Sequence, residues 1–152
     1  MFVDSHCHLN KLNLKLHDNS LDNPVRSALD LGVKHFLCIG IDLESMDEII
    51  SVTEQYEQVF GTVGTHPLYE ESREPTIEDL LIHAEHPKIV GIGETGLDYY
   101  YCDANNSWQR RRFETHIQAA RQAQLPLIVH TRDARQETIE CLKTVGGGEV
   151  SG

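Results

Sequence analysis

The stretch Phe2-Val3-Asp4-Ser5-His6-Cys7-His8 opens the chain as a short apolar run that leads into two histidines. Similar short runs, rich in Val, Ile, Leu or Phe, return along the sequence and have the length and composition of β-strands. Together the predicted strands cover residues 2–6, 35–40, 59–64, 89–92 and 127–130. The order of these strands, and of the segments between them, indicates the fold class.

Longer amphipathic segments separate the predicted strands. Asn23-Pro24 is a typical helix start, and Gly32 ends the helix that follows. Thr76 and Asp79 resemble a capping box, which predicts a helix that runs to about residue 84. The remaining predicted helices cover residues 43–56, 107–123 and 134–142. Because strand and helix alternate, we expect an α/β fold with a mostly parallel sheet and right-handed crossovers.

The composition limits the classes of protein to consider. The chain has 152 residues and a formal net charge of -11. That length fits one domain, and the negative charge argues against a broad electrostatic grip on nucleic acid. No apolar run approaches the roughly 18 residues of a membrane-spanning helix, and the first residues lack the basic region of a signal peptide. We therefore expect a cytoplasmic protein, without membrane association, whose four widely spaced cysteines are reduced.

Histidines follow several of the predicted strands, at the end where α/β folds place their sites. His6 and His8 alternate with Cys7, so both imidazoles leave one face of the strand and can chelate one metal ion. The alternative is a pair of ordinary surface or core histidines. His130 is a third candidate ligand. His66 is a candidate substrate contact or proton shuttle, with a structural histidine beside a turn as the alternative.

The run Gly91-Ile92-Gly93-Glu94-Thr95-Gly96 has the glycine spacing of a dinucleotide-binding loop. Such a loop leads straight into a helix, whereas here the predicted helix begins only near residue 107. We therefore interpret the glycines as freeing the backbone around Glu94, which becomes a candidate oxygen ligand. Asp98 lies close by as a candidate acceptor that orients a ligand.

The candidate ligands His6, His8, Glu94 and His130 all fall at the carboxyl ends of predicted strands. A nitrogen and oxygen donor set without thiolates suits Zn²⁺, Mn²⁺, Ni²⁺ or Mg²⁺. A bridging glutamate in such a set holds two ions about 3.5–4 Å apart.

Charged and aromatic residues near these motifs have two interpretations each. Arg132 can bind a substrate phosphate or carboxylate, or it can pair with Asp133 or another carboxylate of the chain. Residues 99–101 are consecutive tyrosines that can stack on a base or cap the edge of the core. The arginines of the longest predicted helix are expected to form a solvated face, with a nucleic-acid-binding patch as the alternative; they are Arg110, Arg111, Arg112 and Arg121.

Four motifs, in this order and spacing, resemble those of the TatD-type metal-dependent hydrolases. They are Asp4-Ser5-His6-Cys7-His8-Leu9, Gly64-Thr65-His66-Pro67, Gly93-Glu94-Thr95-Gly96-Leu97-Asp98-Tyr99 and Val129-His130-Thr131-Arg132-Asp133-Ala134. The resemblance covers residues 1–145 and leaves 146–152 as a loose tail. It implies a distorted, TIM-barrel-like (β/α)₈ fold with two divalent ions per intact site. It also implies a hydrolase of phosphodiesters, typically a Mg²⁺-dependent 3′-5′ DNA exonuclease.

The same resemblance implies a role for each site residue. His6 and His8 would hold one ion, Glu94 would bridge both ions, and His130 would hold the second. Glu94 and His66 would be catalytic. His66, Arg132 and Asp98 would contact the substrate or orient the ligands.

The chain also departs from the family. Members continue into a sixth strand with a His-Cys-Phe motif and an eighth strand with Thr-Asp-x-Pro, and both motifs are missing here. We therefore expect the N-terminal portion of the barrel, truncated after about five βα units, with exposed edges at its first and fifth strands. Such edges predict self-association or pairing with a complementary C-terminal fragment. The alternatives are a catalytically inactive metal-binding or oligomerising fragment and, more weakly, a hydrolase of aminoacyl esters.

Overall fold

The computed structural model describes residues 2–102 and 107–146. Strands and helices alternate along the described chain, so the α/β prediction is confirmed. The strands are β1 (Phe2–Cys7), β2 (Val33–Cys38), β3 (Val59–Val63), β4 (Ile89–Asp98) and β5 (Leu127–Arg132). The α-helices are α1 (Asp22–Asp30), α2 (Met46–Gln55), α3 (Ile77–Ala84), α4 (Ser107–Ala123) and α5 (Arg135–Thr144). Two short 3₁₀ helices, Leu9–Lys11 and Leu14–Leu16, follow β1.

The strands form one parallel sheet in the order β1-β2-β3-β4-β5. Each strand neighbours the next one along the chain, which is the connectivity of a (β/α)₈ barrel wall. Within the described residues, β1 and β5 are therefore the edge strands. Because all strands run the same way, their carboxyl ends meet at one edge of the sheet, and the loops that follow them share that edge.

The hydrophobic core lies between the sheet and the helices that cover it. Val63 of β3, Ile92 and Leu97 of β4, and Phe113 and Ile117 of α4 are completely buried in it. Such close-packed side chains hold α4 against β4, the strand that carries Glu94 and Asp98.

β4 is longer than the sequence predicted, because we expected the strand to end at residue 92 and it continues to Asp98. Gly93 and Gly96 have φ values of 135° and 142°, and a Cβ at either position would collide with a carbonyl oxygen of β5. These glycines therefore do not end the strand. They let β5 approach closely, so that pairing continues as far as Asp98 and Arg132.

The predicted loose tail of residues 146–152 falls outside the described residues, apart from Gly146, which follows α5. Among the helices of residues 2–102 and 107–146, none combines the length and the apolar character needed to cross a bilayer. The cysteines are free thiols, and Cys38 and Cys141 are buried.

The predicted capping box at the start of α3 is confirmed. The Thr76 hydroxyl accepts the N–H of Asp79 at 3.1 Å, and the Asp79 carboxylate accepts the N–H of Thr76 at 2.8 Å. Arg73 adds two hydrogen bonds to the same carboxylate, at 3.0 and 2.9 Å. Hydrogen bonds from Arg73 and Thr76 hold the pKa of Asp79 well below its usual range.

Replacing Thr76 should test how much this cap stabilises the fold. We expect Thr76→Ala to lower the free energy of unfolding by about 1 kcal/mol, because the Asp79 N–H loses its acceptor. Thr76→Ser keeps the hydroxyl and is the matched control. Urea denaturation followed by circular dichroism measures both, and an equal loss in the two variants would contradict the capping interpretation.

Candidate metal centre

Glu94 lies at the centre of a group of histidines at the carboxyl end of the sheet. Its side chain is nearly buried, and its two carboxylate oxygens face different histidines. Oε2 lies 3.3 Å from His6 Nε2, whereas Oε1 lies 3.2 Å from His130 Nδ1 and 3.9 Å from His66 Nε2. The Glu94 N–H donates to the carbonyl of Gly40 at 2.7 Å, which fixes β4 against the end of β2.

Two groups of candidate ligands share this carboxylate. His6, His8 and Glu94 form the first group, and His66, Glu94 and His130 form the second. Within each group the ligand atoms lie within 4.8 Å of one another. The structure therefore brings together every metal ligand that the sequence analysis named. It also places His66, expected beside the substrate, directly against His130.

Hydrogen bonds to backbone and carboxylate fix the ring orientation of His8 and His130. His8 Nδ1 lies 3.1 Å from the carbonyl of Ile39, so this nitrogen carries the proton and Nε2 is left to bind a metal. His130 Nε2 lies 3.0 Å from the buried Asp98 carboxylate, so Nε2 is the donor and Nδ1 faces Glu94. Asp98 thus occupies the orienting position that the sequence suggested for it.

His66 presents an N–H group to the centre. Its Nδ1 accepts the N–H of Leu68 at 3.1 Å, so in the neutral ring the proton lies on Nε2. Nε2 lies 3.2 Å from His130 Nδ1. Burial lowers the pKa of His66 to about 4, against the opposing attraction of Glu94. The ring is therefore a neutral hydrogen-bond donor at neutral pH.

The electrostatics of Glu94 and His130 favour a charged carboxylate. Burial acts to raise the pKa of Glu94, but the contact with His130 and the neighbouring histidines outweigh it and lower the pKa below its usual value. Glu94 raises the pKa of His130, against burial, because the Nδ1–H of the charged ring would donate to its carboxylate, and Asp98 adds to the rise. An ionised carboxylate among imidazoles is the state that a divalent cation requires.

The donor set fits a divalent ion of the hard or borderline class. Imidazole nitrogens and carboxylate oxygens converge, and the nearby thiols do not take part. Cys7, between the two histidines of β1, points its thiol at the carbonyl of Leu37 at 3.3 Å. Burial raises the pKa of Cys7 to about 12, so this thiol stays protonated and is a poor ligand.

Comparison with known proteins gives the family. The profile of the TatD related DNase family matches residues 3–152. The chain belongs to this family. YabD of Bacillus subtilis, an uncharacterized metal-dependent hydrolase, is 31% identical over 155 residues, which cover 100% of this chain and 59% of YabD. The 3′-5′ ssDNA/RNA exonuclease TatD of Salmonella typhimurium is 31% identical over 122 residues, which cover 80% of this chain and 47% of that protein.

The fold comparison agrees with the family. The crystal structure of YjjV, a TatD homologue from Escherichia coli, matches with a TM-score of 0.83 at 24% identity, over 93% of this chain and 55% of YjjV. This likeness establishes the fold, and the expectation of a TatD-type TIM-barrel-like architecture is confirmed for the five βα units present. The chain spans about half the length of the relatives it matches.

Next to the centre of this TatD-family chain, Arg132 lies against two exposed aromatic rings. Its Cζ atom is 3.8 Å from the centre of the Tyr100 ring and 4.9 Å from that of Tyr101. The expected alternative, an ion pair with Asp133, does not form, and Arg132 has no ion pair within residues 2–102 and 107–146. Tyr99 packs against the core, which supports the core-edge interpretation for this residue, whereas Tyr100 and Tyr101 are exposed.

The prediction of a solvated arginine face is wrong for Arg112, although Arg111 and Arg121 are exposed. The Arg112 side chain is only 1% exposed, and its Nη1 donates to the carbonyl of His66 at 2.7 Å. Its Nε donates to the Glu74 carboxylate at 3.0 Å. Gln109 and His116 are buried on the same helix, and the sequence analysis missed both. Their spacing at positions 109, 112 and 116 follows the helical period, which could have identified a polar face turned inward.

Replacing Asp98 should test its orienting role in this TatD-family centre. We expect Asp98→Asn to weaken Mn²⁺ or Zn²⁺ binding by about 10–100-fold, because the His130 ring loses the carboxylate that fixes its proton on Nε2. Competition with a metal-sensitive dye measures the affinity without any substrate.

Asp133→Asn is the matched control, because Asp133 is exposed and has φ 52°, a conformation that asparagine also adopts. Equal affinity in a folded Asp98→Asn variant and in the control would contradict the orienting role.

Proposed function

We propose that the protein hydrolyses phosphodiester bonds with two divalent ions. We further propose that its substrate is DNA and that it removes nucleotides from the 3′ end of the strand. The observation that carries this proposal is the position of Glu94, whose two oxygens face separate groups of histidines. A shared carboxylate between two ligand groups is the arrangement of two-metal phosphodiesterases. His6 and His8 would hold one ion, Glu94 both ions, and His130 the second. Mg²⁺, Mn²⁺, Zn²⁺ and Ni²⁺ all fit this donor set.

Each residue then has a separate task in hydrolysis. Bound divalent ions supply the positive charge that polarises the phosphate and stabilises the leaving oxygen. Glu94 remains ionised because the neighbouring histidines lower its pKa. Asp98 keeps the proton of His130 on Nε2. His66 offers its Nε2–H from a nearly buried ring and can donate a hydrogen bond to a phosphate oxygen.

The surroundings of Arg132 favour a nucleic acid over a simple ester. A guanidinium without an ion pair among the described residues suits a substrate phosphate, and the exposed rings of Tyr100 and Tyr101 suit a stacked base. The net charge of -11 disfavours a long electrostatic contact with DNA. Binding at a strand end, by a few contacts beside the metal centre, is consistent with both features. The Salmonella relative, a 3′-5′ ssDNA/RNA exonuclease, points the same way.

Loss of the shared carboxylate should abolish activity. We expect Glu94→Gln and His6→Ala to reduce Mg²⁺- or Mn²⁺-dependent cleavage of 5′-labelled single-stranded DNA to the level seen with a chelator. Glu114→Gln, which removes an acid from the outer face of α4, is the control and should keep full activity. Unchanged cleavage in both site variants would contradict the proposed mechanism. Metal binding without any cleavage by the parent chain would favour the alternative of an inactive metal-binding protein.

The proposed base contact predicts a separate effect on substrate binding. We expect Tyr100→Ala to raise KM for a single-stranded oligonucleotide about tenfold, because stacking contributes about 1–3 kcal/mol per base. Tyr100→Phe keeps the ring and should behave like the parent. With an oligonucleotide whose terminal nucleotides lack bases, the Ala and Phe variants should have the same KM. An equal rise in KM on both oligonucleotides would contradict stacking.

Two other hypotheses remain. Self-association, or pairing with a complementary chain, stays a prediction, and the exposure of Phe2 (67%) and Val3 (54%) on the edge strand β1 favours it. Hydrolysis of an aminoacyl ester is the weaker alternative to nuclease activity. Cleavage of aminoacyl-tRNA without cleavage of DNA would indicate it.

A further inference from the structure

We propose that Gln109, Arg112 and His116 of α4 form a buried clamp, called here the α4 clamp, that positions His66 and Asp98 on opposite sides of His130. The clamp residues are positioning residues, and their place in catalysis rests on the proposed function. The geometry itself does not depend on that function.

Each clamp side chain bonds to the backbone of one residue in the loop after β3. His116 Nδ1–H donates to the carbonyl of Arg112 at 2.7 Å, so His116 Nε2 is free to accept the N–H of Thr65 at 3.0 Å. Arg112 donates to the carbonyl of His66, and Gln109 donates to the carbonyl of Pro67 at 2.9 Å. Three consecutive residues are thereby held by one helix face.

The clamp also reaches the end of β4. The side-chain oxygen of Gln109 accepts the N–H of Asp98 at 3.0 Å, while its amide group holds Pro67. A single buried side chain therefore links the strand that carries Asp98 to the loop that carries His66. Asp98 contacts His130 Nε2 at 3.0 Å and His66 Nε2 contacts His130 Nδ1 at 3.2 Å, so both neighbours of the His130 ring depend on the same helix.

Burial of these polar groups argues for a specific role in positioning. Gln109 and His116 are completely buried and Arg112 is 2% exposed, and burying polar side chains is unfavourable unless their hydrogen bonds are satisfied. Phe113 and Ile117 show that the same helix packs well with apolar residues. Hydrogen bonds are directional, whereas apolar contacts are not. Each hydrogen bond of the buried polar residues therefore fixes the position of a particular backbone atom.

Further contacts hold Arg112 itself in place. The Glu74 carboxylate accepts two of its N–H groups, and the Trp108 ring lies 4.7 Å from its guanidinium carbon. The planar guanidinium group therefore donates to Glu74 from Nε and Nη2, and its Nη1 remains to donate to the carbonyl of His66. Lysine has a single ammonium group and cannot reproduce this division.

The α4 clamp can be tested by measuring which nitrogen of the His66 ring carries the proton. In the parent chain without metal, ¹⁵N NMR of the histidine rings should show His66 as a single tautomer with its proton on Nε2, assigned by the loss of its signals in His66→Gln. We expect Arg112→Lys and His116→Leu to give mixed tautomers, because the loop loses the contacts that keep the Leu68 N–H on Nδ1. In the same variants, kcat for DNA should fall about tenfold or more while KM changes less than twofold.

Two controls separate positioning from general stability. His116→Gln supplies an amide oxygen for the Thr65 N–H and should restore both the single tautomer and kcat. Ile117→Val removes a methylene group from the core beside the clamp and should leave the His66 ring unchanged although the fold is less stable.

An unchanged His66 tautomer in folded Arg112→Lys and His116→Leu would overturn the α4 clamp. Because Arg112→Lys keeps a cation for Glu74, we expect this variant to retain the paired charge and to fold, which circular dichroism checks. If the parent chain has no nuclease activity, the proposed function fails, whereas the NMR comparison still decides whether the clamp exists.

Discussion

The close pairing of β4 with β5 is the constraint on which the rest of the centre depends. Because Gly93 and Gly96 have no side chains, carbonyl groups of β5 can occupy the positions that their Cβ atoms would take. The pairing of β4 with β5 therefore extends to Asp98 and Arg132. This extension places Glu94 and Asp98 on either side of His130. With larger residues at the two glycines the strands would separate, and the carboxylates would lose their contact with the imidazole.

The centre combines local strand geometry with support from a distant part of the chain. His6, His8, Glu94 and His130 come together because parallel strands end at one edge, which any barrel of this connectivity provides. The orientation of the rings needs more. It depends on single hydrogen bonds to the Ile39 carbonyl, to Asp98 and to the Leu68 N–H, and on a helix whose buried polar face holds the loop after β3.

Sequence reasoning reached the fold class, the family and the placement of the ligand residues. It succeeded there because alternating runs, capping residues and strand-end histidines are local patterns. It failed at β4, where glycines that normally end a strand instead allow close packing against a neighbour. It also failed at Arg112, because a charged residue on an amphipathic helix is normally exposed. Only the positions of Glu74 and His66, far away in sequence, show why this arginine is buried.

The exposure of β1 has a kinetic consequence for the two groups of ligands. The first group takes His6 and His8 from the end of β1, whose residues are mostly exposed, whereas His130 of the second group lies on β5, most of which is buried or half-buried. Segments with few buried contacts open at a lower free-energy cost than well-packed ones. The two halves of the centre are therefore unequal. An ion bound through His6 and His8 would therefore exchange with solution faster than one bound through His130.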